Sequence, residues 1–208
     1  SGELLFNQSA ATATGLQFNG QVVSQGGAIT LNTKGDMDLR GPLVSSGGDV
    51  QLSSDQLLNS ASIDAGAGLL NIVLGSSGVG GDSVLGSVRS TQTLQVSGGA
   101  GDDGLTFNPQ STLRLGAANA VLNNNELQIS GIERLQLQGD SRGLIGSDNS
   151  TVYTLLSGTD RLQVQGMQLQ NVAELIAGSG SDSLLLEGGA IFTASVDLGA
   201  GSDAVTMN

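Results

Sequence analysis

Short runs in which aliphatic and polar residues alternate, each closed by glycine, make up much of the chain. Ile29 and Leu31, Met37 and Leu39, and Val50 and Leu52 are each separated by one polar residue. Alternation over so few positions, bounded by glycine, predicts strands with one buried face. Related runs lie at Ser62 to Ala65 and Leu69 to Leu74, and a single phrase recurs in the middle of the chain. It reads Leu94-Gln-Val-Ser-Gly98, Leu127-Gln-Ile-Ser-Gly131, Leu135-Gln-Leu-Gln-Gly139 and Leu162-Gln-Val-Gln-Gly166. In each copy two aliphatic residues point inward, the first glutamine points outward, and the glycine turns a corner. No long helical pattern competes, and the nearest candidate, Met167 to Ile176, is short and flanked by glycine.

These strands recur on a beat. A template x-G-x-G-x-D-x-(apolar)-x fits Ser77 to Leu85 and Gly98 to Thr106, whose starts lie 21 residues apart, and again Ala177 to Leu185 and Leu198 to Thr206 at the same spacing. Gly26 and Gly47 keep that spacing without a complete motif. A fixed period of this length marks a repeat architecture. The expected fold is all-β, a single-stranded parallel β-helix (β-solenoid) of about 20–21 residues per coil, right-handed by base rate. An antiparallel sandwich requires hairpins but no fixed beat. Residues 1–208 read as one continuous solenoid segment, an excerpt of a longer protein, with irregular outward loops near 119–125 and 139–150.

Composition narrows the interior and the partners. Only 2 % of residues are aromatic, so Leu, Val, Ile and Ala must fill the core; 33 glycines against two prolines suit many tight corners between hydrogen-bonded strands. With 19 acidic and 7 basic residues the net charge is −12, and Lys34 is the sole lysine. Nucleic acid is therefore excluded as a partner, since phosphate binding needs clustered cations. The absence of cysteine removes disulfides and thiolate metal sites. No apolar run approaches the ~18 residues of a membrane-spanning helix, so no membrane insertion is expected, and no signal-peptide pattern opens the chain.

The four glycine–aspartate copies resemble the nonapeptide of RTX proteins, which form calcium-dependent parallel β-rolls. Gly98 to Thr106 carries every consensus position; the other three lack the first glycine, and each copy occurs once per coil rather than in tandem. The glycine-bounded phrases from Gly26 to Leu74 resemble filamentous haemagglutinin-type adhesins. Gln170 to Asp182 and Val196 to Asp203 are similar to repeats of very large bacterial surface proteins. These resemblances imply a β-helix or roll that is secreted or attached to a bacterial surface and that acts in adhesion.

Two readings of the aspartates stand side by side. If 21 residues make one coil, Asp82 and Asp103 share a corner of adjacent coils about 4.8 Å apart, as do Asp182 and Asp203. Carboxylates that close repel unless a cation or proton lies between them. Glycine-lined turns can aim backbone carbonyls at Ca²⁺, which takes six to eight oxygens. That predicts two calcium sites, with Gly80, Gly101, Gly180 and Gly201 at the turns. Alternatively the aspartates hydrogen-bond nearby amides and the glycines supply positive φ, so the motif only builds the corner.

Catalysis finds little support. Without His or Cys, the Ser-His-Asp and Cys-His arrangements and the usual zinc sites cannot form. The chain is expected not to be an enzyme, but a structural and adhesive stalk or binding module, extracellular or at the bacterial surface. Its expected partners are neighbouring coils of the same long protein and a surface ligand of a host cell, sibling cell or matrix. The alternatives are a carbohydrate-active β-helix enzyme and a calcium-driven folding module that aids secretion.

Overall fold

The computed structural model describes residues 2–8, 15–92, 94–109, 112–116, 120–123 and 127–208, the backbone alone at 120–123. Every regular element among them is a strand. The chain divides into two compact units, Ser1–Thr106 with Asn124–Ile132, and Phe107–Asn123 with Glu133–Asn208.

The first unit is built coil by coil. The first coil holds β1 (Leu4–Gln8), β2 (Leu16–Phe18) and β3 (Val22–Val23). The second holds β4 (Ile29–Thr33), β5 (Met37–Leu39) and β6 (Leu43–Val44), and the third β7 (Val50–Ser53), β8 (Leu57–Asn59) and β9 (Ile63–Gly66). The fourth holds β10 (Leu70–Val73), β11 (Asp82–Leu85) and β12 (Val88–Ser90), followed by β13 (Leu94–Ser97) and β14 (Gly104–Phe107). Corresponding strands stack into three sheets, ordered β1-β4-β7-β10-β13, β2-β5-β8-β11-β14 and β3-β6-β9-β12. Their pairing is parallel at β1–β4, β4–β7, β7–β10 and β10–β13.

Register follows the alternation read from the sequence. Leu31, Leu52, Ile72 and Val96 lie opposite one another in successive rungs, and all are buried. The polar residues between them face out. Because the side-chain period is two, a slip of one residue would exchange these faces and expose the aliphatic ladder. The steps from Ile29 to Val50 to Leu70 keep the expected beat. The step from Leu70 to Leu94 is longer, the extra residues lying in the glycine-rich turns after Leu74.

The second unit contains β15 (Leu113–Leu115) and β16 (Ala120–Asn123); β17 (Leu127–Ser130) returns to the first unit, where it pairs in parallel with β13. Next come β18 (Arg134–Leu137), β19 (Gly143–Ile145), β20 (Val152–Leu155), β21 (Gly158–Thr159), β22 (Arg161–Val164) and β23 (Met167–Gln170). The last are β24 (Glu174–Ile176), β25 (Ser183–Leu186), β26 (Ala190–Ile191), β27 (Ser195–Asp197) and β28 (Ala204–Met207). Parallel ladders run β15–β19–β24–β27 and β20–β25–β28.

Antiparallel pairs interrupt this pattern at β15–β16, β20–β22 and β22–β23. Gln165 and Gly166 both have positive φ, 50° and 84°, the combination that a two-residue primed hairpin needs. Gly166 therefore turns a hairpin, where the sequence pattern predicted a coil corner. Of the two expected loops, the first has 119 and 124–125 outside the described residues and strand β16 at 120–123, while 139–150 contains β19, whose Leu144 is fully buried.

Candidate functional site

The aspartates of the repeated template occupy corners, and their surroundings differ between the units. In the first unit the amide of Gly104 donates to the carbonyl of Gly81 at 2.9 Å. In a parallel ladder this sets Asp82 beside Gly104 and leaves Asp103 one position out of step. The offset places the two carboxylates on opposite faces: Asp82 is exposed and Asp103 is 0 % exposed. They do not share a corner as the spacing predicted, because the coil here is one residue longer than the beat of the motif. The Asp103 carboxylate lies against the turn glycines, and a Cβ built on Gly75 would sit 2.8 Å from its Oδ2.

Gly80 and Gly101 do meet. A Cβ on Gly80 would strike the backbone of Asp102, and one on Gly101, whose φ is +121°, would strike the amide of Gly80. The glycines are required by the closeness of successive backbones, which needs no ligand.

In the second unit Asp182 and Asp203 stand on adjacent rungs, just before the paired residues Ser183 and Ala204. The amide of Asp182 donates to Oδ1 of Asp203 at 2.9 Å, and Oδ1 of Asp182 accepts the amide of Thr151 at 2.8 Å. Each carboxylate thus braces the backbone of the preceding rung. Gly180 lies against the backbone of Asn149 and Ser150, and Gly201 against the carbonyl of Gly180. The corner also includes Asp148, whose Oδ1 accepts the hydroxyl of Ser179 at 3.1 Å. Asp182 is 1 % exposed, and its Oδ2 has no hydrogen-bond partner among the described residues.

Tyr153 is buried near this corner and donates to the carbonyl of Ala177 at 3.2 Å. Burial, reinforced by the charge of Asp182, pushes its hydroxyl up from 10.0 to about 12, against a smaller opposing effect of the Thr151 hydrogen bond.

Further aspartates outside the template brace the backbone of the next rung. Asp55 accepts the amide of Ser77 at 2.7 Å and its hydroxyl at 2.6 Å, fixing the start of the first copy. Asp49 accepts the amide of Leu69 at 2.9 Å, and Asp160 accepts the amide of Thr193 at 2.7 Å. For Asp55 the available signal was its place one coil upstream of the serine-rich turn at Ser77.

Calcium takes six to eight oxygens at 2.3–2.6 Å. Among the described residues no three acidic side chains gather as a metal-binding group, and at the Asp182–Asp203 corner two carboxylate oxygens are already engaged by amides. What this arrangement does chemically is close the corners of a stacked sheet.

Fold and corners together define a β-solenoid-like, all-β protein with parallel stacked strands. Comparison with family models, with curated proteins and with solved structures finds no match for the chain.

Proposed function

We propose that the chain is a structural and adhesive β-solenoid segment of a large secreted or surface-bound bacterial protein, serving as a stalk or binding module. The observation that supports this reading is the unbroken inward ladder Leu31, Leu52, Ile72 and Val96 beneath outward polar ladders held in strict register. Such a stack is stiff and displays regular contact surface. Neighbouring coils are its partners in this reading, and apolar side chains at both edges suit them. Leu4 and Phe6 stand opposite buried Ile29 and Leu31, and Val205 stands opposite buried Leu184, yet all three are exposed.

Beads coated with the protein test adhesion. Retention on bacterial or host-cell surfaces above that of an albumin coat supports the proposal; retention equal to albumin on every surface overturns it.

A second reading, stabilisation by Ca²⁺, is favoured by one observation: the buried Oδ2 of Asp182 lacks a hydrogen-bond partner among the described residues, and Asp148 and Asp203 lie on the adjoining rungs of its corner. Under the leading reading, millimolar calcium leaves the melting temperature unchanged. Under the second, calcium raises it and Asp182→Asn abolishes the rise.

A further inference from the structure

The outward glutamines and their neighbours form an array that neither stacking nor corner bracing uses. On the outer face of the β4-β7-β10-β13-β17 sheet, Thr30, Gln51, Asn71, Gln95 and Gln128 stand opposite one another in successive rungs. Two positions along each strand, Asn32, Ser53, Val73, Ser97 and Ser130 form a second ladder. The grid repeats at about 4.8 Å between rungs and about 6.6 Å along the strand. None of the ten residues is charged, on a chain whose net charge is −12. The side chains of Gln51, Asn71, Gln95 and Gln128 make no hydrogen bond to the described protein. Each amide presents two donors and an acceptor outward.

We propose that this face binds a neutral, extended polysaccharide chain laid across the rungs; the assignment rests on the binding-module reading above and names its ligand. Sugar hydroxyls both donate and accept, as the exposed amides do, and a linear polysaccharide repeats its hydroxyls along its length as the ladders repeat their amides. Charge selects against the competing polymers. An anionic glycan or nucleic acid is repelled by the acidic chain, and the face has no cation to hold one. A peptide strand adds to a sheet at its edge, not across a face whose backbone groups are already paired. The face also lacks aromatic rings for stacking. Binding is therefore carried by many weak hydrogen bonds, tightens as the oligosaccharide spans more rungs, and changes little with salt.

The test is retention of the protein on microcrystalline cellulose and on mannan, with calorimetric titration of cello-oligosaccharides of increasing length and heparin as the anionic control. The expected result is retention on a neutral polymer, affinity rising with chain length, and none on heparin. Asn71→Ala and Gln95→Ala each weaken binding by about threefold to tenfold with unchanged circular dichroism, since neither amide is bonded to the described residues. Failure to bind either neutral polymer overturns the proposal. So does binding that Asn71→Ala with Gln95→Ala leaves intact, and so does inhibition of ice recrystallisation without glycan retention. If that double variant still attaches to cell surfaces as before, the binding-module reading survives and the face assignment falls. If the unaltered protein attaches to no surface, the broader reading falls first.

Discussion

Asp203 and Asp182 are joined carboxylate to amide, Oδ1 accepting the backbone N–H at 2.9 Å across 21 residues of sequence. One coil is thereby fastened to the next by a side chain that the spacing of the motif singles out. Asp203→Ala removes this acceptor and lowers stability by about 0.5–1.5 kcal/mol. Asp203→Asn keeps an oxygen in place and loses less. Urea denaturation of the two variants checks the order.

Asp182 sits deeper, and its Oδ1 holds the amide of Thr151. Asp182→Ala leaves that buried amide without a partner, so the expected loss is larger, about 1–3 kcal/mol. Equal losses for Asp182→Ala and Asp203→Ala would contradict the burial of the first.

The inward ladder gives the largest effects. Leu52 lies between Leu31 and Ile72 and is fully buried, so Leu52→Ala destabilises by about 2–5 kcal/mol. Its outward neighbour changes little, Gln51→Ala staying within about 0.5 kcal/mol. Thermal melts of the pair test the alternation directly.

Much of this was legible in the sequence because alternation and glycine placement are local signals. Leu31 and Leu52 are core because a polar residue on each side leaves them no other face, and the Asp182–Asp203 contact follows from a coil of regular length. Asp82 and Asp103 were misjudged for a physical reason. One additional residue shifts a strand's register, and with a period of two that shift sends one carboxylate inward and the other outward. The hairpin at Gln165–Gly166 was missed because a corner glycine and a hairpin glycine look alike until a partner strand is known. Asp55 carried no motif of its own, and its role appears only from the Ser77 it fastens one coil later.

Tyr153, the only tyrosine in a chain without tryptophan, reports on its own titration. Its folded-state value of about 12 lies above the ordinary phenol value of 10.0. Below the ordinary value the associated stability is fully present. As pH rises toward the folded value the unfolded chain releases the proton while the folded chain keeps it, so stability falls. Absorbance titration is expected to show phenolate forming near the higher value, and Tyr153→Phe to flatten the alkaline loss of stability. Phenolate appearing at the ordinary value in folded protein would contradict the burial.

The central claim is that distant segments stack rung on rung in parallel register. With no native cysteine, Thr30→Cys with Gln128→Cys gives a clean pair for nitroxide labels on β4 and β17, four inter-strand steps apart in one sheet. Pulsed dipolar spectroscopy is predicted to find a narrow distribution centred at about 19 Å, four spacings of about 4.8 Å. A broad distribution, or a centre displaced by more than the length of the label, would contradict the stacked architecture.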